Sequence, residues 1–279
     1  MKNSASFMLA VFLTIQVTPS PCVAEPKPLW EVGLGVGSVL FSDYPGAATS
    51  HGYVLPVPYF RYRGQFLRSD DEGMRGVLLD RPEVTFKVSL GASVPVKSKS
   101  DAARSGMPNL DGTIEAGPSM DWHLWHSESR TVVVDFRVPV RLAVTVDSRP
   151  QAIGWFVAPN INIDIRNAPA LGGGHLGLLV GPLYSARRYN DYYYSVAARY
   201  ATNTRPEYQA PGGYAGAEAI AAFSKRFPRF WVGAFVRYRT MTGAVFADSP
   251  LVKRTEDIAA GVGVAWMISS SAQLVDADQ

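Results

Sequence analysis

The stretch that decides the fold is Val-Val-Val-Asp-Phe-Arg-Val-Pro-Val-Arg-Leu-Ala-Val-Thr-Val, residues 132–146. Every even position in it is apolar, whereas the odd positions include Asp135, Arg137, Arg141 and Thr145. Strict alternation is the period of a β-strand with one apolar and one polar face. A helix would distribute these charges around its whole circumference, so the stretch is predicted to be a strand.

Further stretches alternate in the same way: 84–96, 114–124, 153–165 and 258–268. Strands of soluble proteins usually run about 5 or 6 residues, while membrane-spanning strands need about 9 to 11. The lengths therefore favour membrane strands, and a large secreted β-sandwich is the alternative. Aromatic residues near the strand ends suit an interfacial girdle: Trp30, Tyr53, Trp122, Trp155, Tyr184 and Trp266.

The chain is predicted to be an all-β protein, a transmembrane antiparallel up-and-down β-barrel of twelve strands, with ten as the alternative. Brief turns are expected on the periplasmic side and the longer segments 42–52, 98–109, 188–213 and 242–256 outside. The candidate strands are 30–41, 53–63, 65–69, 74–79, 83–97, 110–125, 130–147, 152–166, 174–187, 214–226, 229–241 and 257–268.

The candidate strand 53–63 contains Pro56 and Pro58. Proline cannot donate a ladder hydrogen bond. This strand is therefore predicted to be bent, bulged or poorly paired on one side, or to mark a place where another molecule adds to the wall.

Residues 1–24 have the layout of a cleavable signal peptide: Lys2, a short apolar stretch, and a small-residue end at Ala24. This layout predicts export. Acylation at Cys22 is the alternative, which Pro21 just before it disfavours. Residues 25–279 would then form one barrel domain, located in the outer membrane of a Gram-negative cell and in contact with its lipid and lipopolysaccharide.

The composition argues against several classes of function. The net charge is +3, too even to indicate a nucleic-acid partner. Cys22 is the only cysteine, no histidine pair has metal-ligand spacing, and no nucleophile-elbow sequence is present. We therefore expect no cofactor, no metal site and no catalytic residue. His123 is expected to be a polar residue of the inward face without a catalytic role.

Charged residues of both signs fall on the inferred inward face. They could pair across the lumen and close it, or line a narrow path for small solutes; pairing is favoured, because unpaired charges in a confined lumen are costly. The predicted network is Glu83, Glu115, Asp121, Asp135, Arg137, Arg141, Asp164, Arg166, Glu218, Arg237 and Arg239.

The long outer segments are rich in tyrosine, which offers flat, rigid surface with a hydroxyl group for binding sugars or protein. The same segments could instead fold over the mouth as a lid, and both interpretations remain open. The candidate binding residues are Tyr189, Asn190, Asp191, Tyr192, Tyr193, Gly212, Gly213, Tyr214, Asp248, Ser249 and Pro250.

Several strings in order resemble the MipA/OmpV family of MltA-interacting outer-membrane proteins. They include Gly33-Leu34-Gly35-Val36-Gly37 and Arg188-Tyr189-Asn190-Asp191-Tyr192-Tyr193-Tyr194. The most specific is Gly243-Ala244-Val245-Phe246-Ala247-Asp248-Ser249-Pro250-Leu251-Val252. One departure is the polar tail 269–279, where family members tend to end on an aromatic residue that closes the last strand.

The resemblance implies an outer-membrane barrel, and the lack of a catalytic motif predicts that it is not an enzyme. The resemblance also implies a scaffold or anchor for peptidoglycan-remodelling enzymes, with a lytic transglycosylase and a penicillin-binding synthase as partners. The alternatives are a narrow channel for small solutes and a surface adhesin.

Overall fold

The computed structural model describes residues 26–64, 67–70, 73–168 and 172–275. The predicted signal peptide, residues 1–24, lies outside the described residues. One α-helix, α1 (Arg187–Tyr194), and short 3-10 turns at Ser98–Ser100, Ala102–Arg104 and Ala198–Tyr200 accompany the strands. No helix in these ranges combines the length and the apolar character that crossing a bilayer requires.

The strands confirm the prediction of an all-β chain. In chain order they are β1 (Lys27–Pro28), β2 (Trp30–Ser42), β3 (Ser50–Arg63), β4 (Leu67–Asp70), β5 (Gly73–Asp80), β6 (Val84–Ser93), β7 (Thr113–His126), β8 (Val132–Thr145), β9 (Ala152–Val157), β10 (Asn160–Ala168), β11 (Gly174–Ser185), β12 (Gly213–Arg226), β13 (Phe230–Thr240), β14 (Glu256–Ser270) and β15 (Leu274–Val275).

The sheet closes on itself. Strands β2 to β8 and β11 to β14 pair antiparallel with their neighbours, β14 pairs with β2, and β10 pairs with both β8 and β11. β9 and β10 are one wall strand interrupted at Ala158 and Pro159, since both halves pair with β8 and β11 and proline lacks the ladder donor. The described residues therefore form a barrel of twelve wall strands, and the ten-strand alternative is wrong.

Side chains alternate between the outside and the lumen as the sequence predicts. On β8, Leu142 points outward and is 47% exposed, whereas Asp135 points inward and is 4% exposed. Residues directly opposite each other in an antiparallel pair share a face, so the register carries this division around the ring. One aromatic residue is a correction: Tyr53 lies opposite Val39 on the inward face and stacks on Phe41, 5.3 Å between ring centroids.

The seam between the first and last wall strands is continuous. β14 pairs with β2 from Ala260↔Leu40 to Ser270↔Glu31, with a register shift near Met267. Beyond it, the polar tail turns back so that β15 pairs with β1, and the backbone N–H of Leu29 donates to Gln273. Part of the tail that departs from the family pattern thus joins the two ends of the described chain.

One sector of the wall is short. β3 pairs with β2 from Tyr62↔Trp30 to Ser50↔Ser42, yet it pairs with β4 only at Tyr62 and Arg63. In the described part of the chain, residues 50–58 have no ladder partner on the β4 side. The prediction that this strand is poorly paired on one side is confirmed.

Candidate functional site

The long loops pack together over one mouth of the barrel. We call this assembly the cap; it consists of residues 43–49, 94–112, 186–212 and 241–255. Its interior is apolar, and the side chains of Phe246 and Leu251 are almost fully buried. Buried residues from all four segments form one cluster with Ala143 and Ile153 of the wall: Tyr44, Ala47, Val96, Leu110, Tyr193, Tyr194, Val196, Ala210, Met241, Ala244, Phe246 and Leu251.

Helix α1 holds the cap in the mouth. Asn190, Tyr193 and Tyr194, at helical spacing of three and four, form its buried face. Asn190 is 0% exposed, and its amide is satisfied on both sides. Its Nδ2 donates to the carbonyl of Pro211 at 2.7 Å, and its Oδ1 accepts from Ser185 Oγ at 2.6 Å.

The tyrosines of α1 connect the other loops. Tyr194 stacks on Phe246 with 3.9 Å between ring centroids, and its hydroxyl donates to the carbonyl of Pro45 at 3.0 Å. The backbone N–H of Asp111 donates to the hydroxyl of Tyr192 at 2.7 Å. One eight-residue helix therefore joins three loops that are far apart in sequence.

Two buried arginines fix the cap segment 94–112 to the segment that follows α1. Arg104 donates to the carbonyl of Tyr193 at 3.0 Å, and Arg205 donates to the carbonyls of Ala103 and Ser105, both at 2.9 Å. Arginine suits this role because its fork of donors serves several carbonyls at once. Burial lowers the pKa of Arg104, while Tyr44 and Asp101 oppose that shift.

Burial also raises the pKa of cap tyrosines: that of Tyr192 to about 12, and those of Tyr44 and Tyr194 upward. Because the folded pKa lies above the unfolded one, the folded cap binds more protons above about pH 10. Cap stability is therefore fully present below pH 10 and falls as the pH rises toward 12. We expect the cap to open in this range, measured as tryptic cleavage after Arg188 and Arg199.

Tyr192→Phe provides the control for this pH dependence. It removes one titrating group but keeps the ring, so cleavage at high pH should rise less steeply than in the wild type. An identical profile would show that Tyr192 does not contribute to the titration.

Charged side chains inside the barrel form three groups at different heights. The group beneath the cap, the upper cluster, pairs Arg239 with Glu218 at 2.7 Å and Arg141 with Glu115 at 3.9 Å. Arg237 and Asp257 complete it at 3.9 Å. The hydroxyl of Tyr189 on α1 donates to Glu115 at 3.5 Å, so the cap and the lumen charges are in contact.

The group nearer the short turns, the lower cluster, centres on Arg137. Its Nη2 lies 2.9 Å from Asp135 and 3.0 Å from Asp164, and its Nε lies 3.4 Å from Asp121. Three further side chains contact the same carboxylates. Lys87 lies 2.5 Å from Asp121, His123 lies 2.8 Å from Asp135, and His175 lies 3.2 Å from Asp164.

The third group lies at the end of the wall near the termini. Glu31 is almost fully buried and pairs with Arg63 at 2.8 Å and with Arg226. These residues belong to β2, β3 and β12, and so reach across the lumen. Most predicted lumen charges fall in the upper and lower clusters, but Glu83 and Arg166 do not, because both lie exposed near strand ends.

Sequence reasoning missed several members of these clusters, namely Glu31, Lys87, His175 and Asp257. Lys87 alternates with apolar neighbours in the candidate strand 83–97, so parity alone could have included it. Glu31 and Asp257 are each the second residue of a wall strand, where too few residues alternate to fix a face.

The predicted binding residues are mostly occupied within the cap. Asn190, Tyr193 and Ser249 are buried, and Ser249 Oγ donates to the carbonyl of Tyr194 at 2.6 Å. Tyr189, Asp191, Tyr192, Gly213, Tyr214 and Pro250 are partly buried, whereas Gly212 and Asp248 are exposed. Of the two interpretations of these loops, this arrangement is the one expected of a lid.

A hydroxyl–imidazole–carboxylate chain runs across β6, β7 and β8. Thr85 Oγ1 lies 3.0 Å from His123 Nε2, and His123 Nδ1 lies 2.8 Å from Asp135. In nucleophilic catalysis the hydroxyl gives its proton to the imidazole. Here the hydroxyl of Thr85 donates to Asp80 at 3.0 Å instead. The imidazole of His123 is therefore held between Thr85 and Asp135.

A cavity of about 530 Å³ lies in the lumen. One side is apolar or glycine-lined and belongs to β2, β3, β13 and β14, with Val57 and Phe235 among its side chains. Polar side chains of β8, β10 and β11 line the opposite side of the cavity. They include Arg137 and His175 of the lower cluster and Asn162 beside it. The cavity thus offers two chemically different walls to one occupant.

Comparison with solved structures finds outer membrane phospholipase A from Escherichia coli twice. An active-site mutant of that enzyme is 12% identical, with 90% of this chain and 94% of that chain covered and a TM-score of 0.34. A second structure of it is 11% identical, with coverages of 87% and 94% and a TM-score of 0.33. Scores this low support no conclusion about this chain. No curated protein matches.

The family comparison is decisive because it spans most of the chain. The sequence pattern of "MltA-interacting protein MipA" matches residues 34–268, from β2 to β14. The match covers the wall strands, the cap and the lumen clusters together. The chain therefore belongs to the MipA family.

Proposed function

We propose that this protein crosses the outer membrane of a Gram-negative cell and anchors a peptidoglycan-remodelling enzyme on its periplasmic side, without catalysing a reaction itself. The belt of apolar side chains on the outer wall supports the proposal that the barrel crosses a membrane. Val262 is 63% exposed there, and Val36 and Val180 are about as open. Soluble monomers rarely expose contiguous apolar patches of this kind. The hydrocarbon layer of a bilayer would remove this apolar surface from water.

The anchoring part is supported by the family name together with the position of the cap. In bacterial barrels the short turns face the periplasm and the long loops face outward. The cap uses its tyrosines to bind its own loops, so a periplasmic enzyme would meet the turn face instead. We define the turn face as the described residues 64, 80–83, 126–131, 166–168, 172–173 and 225–229.

Exposed charges on the described part of the turn face are mostly basic. The exposed basic residues there are Arg81, Arg130, Arg166, Arg226 and Arg229, and the exposed acidic residues are Asp80, Glu83 and Glu128. Charge complementarity steers association and selects partners. This surface would favour a partner with an acidic patch.

The double variant Arg81→Glu/Arg229→Glu is expected to weaken capture of a lytic transglycosylase from solubilised envelopes about tenfold. Two rim-charge reversals account for roughly 1.4 kcal/mol of binding free energy. The measurement is a pull-down with titrated partner, repeated at higher salt, where the difference between variant and wild type should shrink.

Lys99→Glu/Arg188→Glu is the matched control, because both residues are exposed on the cap. It changes the net charge equally and should leave capture unchanged. Equal loss with both double variants would mean that net charge, and not the turn face, governs binding. Capture unaffected by the Arg81/Arg229 pair would contradict the turn face as the anchoring surface.

A narrow channel is the competing function. It has less support, because the cap covers one mouth and the described lumen charges pair with each other. Conductance through a barrel whose cap is released is the relevant test, and it is considered in the Discussion.

A further inference from the structure

The short sector of the wall leaves an opening toward the bilayer. β5 pairs with β6 only from Asp80↔Thr85 to Gly76↔Val88, while β6 continues to Ser93. On the other side of the sector, residues 50–58 of β3 have no partner on that edge within the described ranges. The two edges therefore diverge above the β4–β5 hairpin.

Chain length alone requires this opening. Only residues 64–83 connect β3 to β6, and both β4 and β5 lie within them. A strand that crosses the hydrocarbon layer needs about 9 to 11 residues. β4 has four residues and β5 has eight, so the hairpin cannot reach the height of β3.

The exposed side chains beside the opening are consistent with it. Leu55 points toward the lumen, yet it is 43% exposed, because the neighbouring wall is missing. Val54, which points outward on the same strand, is also widely exposed. Leu55 also lines the cavity, together with Pro56 and Val57. The cavity therefore extends to the edge of β3.

The prolines decide what the edge can accept. Arg63 donates its N–H toward Leu29, on the β2 side. Backbone groups of successive residues point to opposite sides of a strand, so Pro56 and Pro58 face the opening. Without N–H groups they discourage addition of another strand. Of the two outcomes predicted for this strand, addition of another protein segment to the wall is disfavoured. Poor pairing on one side remains, and it leaves room for apolar groups to pass.

We propose that the cavity binds a monoacyl amphiphile that enters from the bilayer between β3 and β6. The acyl chain lies against the apolar wall, near Val57 and Phe235, and the headgroup meets the polar wall near Arg137 and Asn162. A volume of about 530 Å³ is within the usual range for one small ligand, about 300–1,000 Å³. Because Arg137 and Asp164 of that wall pair with each other, a zwitterionic headgroup such as phosphocholine fits best.

Photolabelling tests this proposal. The protein is placed in phosphatidylcholine nanodiscs with lauroyl lysophosphatidylcholine that carries a diazirine near the chain end. Cross-linked residues are then mapped by mass spectrometry. We expect labels on Val57 and Phe235 inside the barrel and on Leu55 at the opening, in addition to outward residues such as Val180, which does not line the cavity.

Two variants fill the cavity without crowding the backbone. A Cβ added at Gly177 would lie 3.5 Å from Asp164, and one at Gly263 would lie 3.5 Å from Val57, both ordinary contacts. Gly177→Leu and Gly263→Leu should each reduce lumen labelling about tenfold and leave labelling of Val180 on the outer face unchanged. Using both protects the test against a folding defect in either one.

Gly52→Leu is the matched control, because a Cβ there meets nothing within 4 Å and points away from the lumen. It should label like the wild type. Labels confined to outward residues would overturn the proposal, as would lumen labels that persist in both filled variants. Lumen labels without any on Leu55 would exclude entry through the opening.

Discussion

Replacing Arg137 by alanine is expected to lower the free energy of unfolding of the barrel by about 3 kcal/mol, the lower end of the range for removing one partner of a buried ion pair. Arg137 lies within 3.4 Å of three carboxylates, those of Asp121, Asp135 and Asp164. Without it, like charges face each other in a confined lumen. The measurement is urea unfolding in detergent micelles, followed by tryptophan fluorescence.

Arg149→Ala is the control, because Arg149 is exposed in the link between β8 and β9, and such changes usually stay within about 0.5 kcal/mol. Removing one carboxylate as well, in Arg137→Ala/Asp135→Asn, should recover part of the loss, since residues in one ion-pair network are coupled. A loss below about 0.5 kcal/mol for Arg137→Ala would mean that water in the lumen screens the cluster.

Gly154→Ala is expected to release the cap. Gly154 has φ +127°, and a Cβ there would lie 2.6 Å from the backbone nitrogen of Tyr189. The clash is with the backbone of α1, which cannot move aside without leaving the mouth. Backbone strain of 1–3 kcal/mol adds to it, so tryptic cleavage after Arg188 should rise about tenfold or more.

The same variant tests the channel hypothesis. In planar bilayers we expect little conductance from the wild type and brief openings from Gly154→Ala. Gly173→Ala is the matched control, since Gly173 has φ +85° but a Cβ there meets nothing within 4 Å. Equal cleavage in both alanine variants would contradict the view that Gly154 lets α1 pack against the wall. A wild type that conducts steadily would show that the cap is not a seal.

The wall was predictable because its signal is local. On β8 the even positions are apolar and lie on the outer face, while charged residues recur at odd positions, so alternation identifies the strand and its faces. β11 is less clear: beyond His175 near its start, the inward positions are Gly177, Leu179, Gly181 and Leu183. Because both faces of this strand are then largely apolar, alternation does not assign His175 to the lumen.

The cap could not be predicted from local pattern. The segment 188–213 carries tyrosines that suit a binding surface or a lid equally well. The outcome depends on which loops the closed barrel brings to the same mouth, for example Phe246 against Tyr194. The seat of α1 at Gly154 depends on the third dimension as well, because a single glycine in a strand gives no indication of what approaches it.

The seam between β2 and β14 has a consequence for how the molecule is made. β2 can pair with β14 only after this last wall strand has been synthesised, since residues 43–255 separate the two strands. Contacts so distant in sequence form slowly, and until then β2 presents an unsatisfied edge that invites aggregation. We therefore expect closure of the barrel between β2 and β14 to be the slow step of folding, and the pairing of β1 with β15 to form only after it.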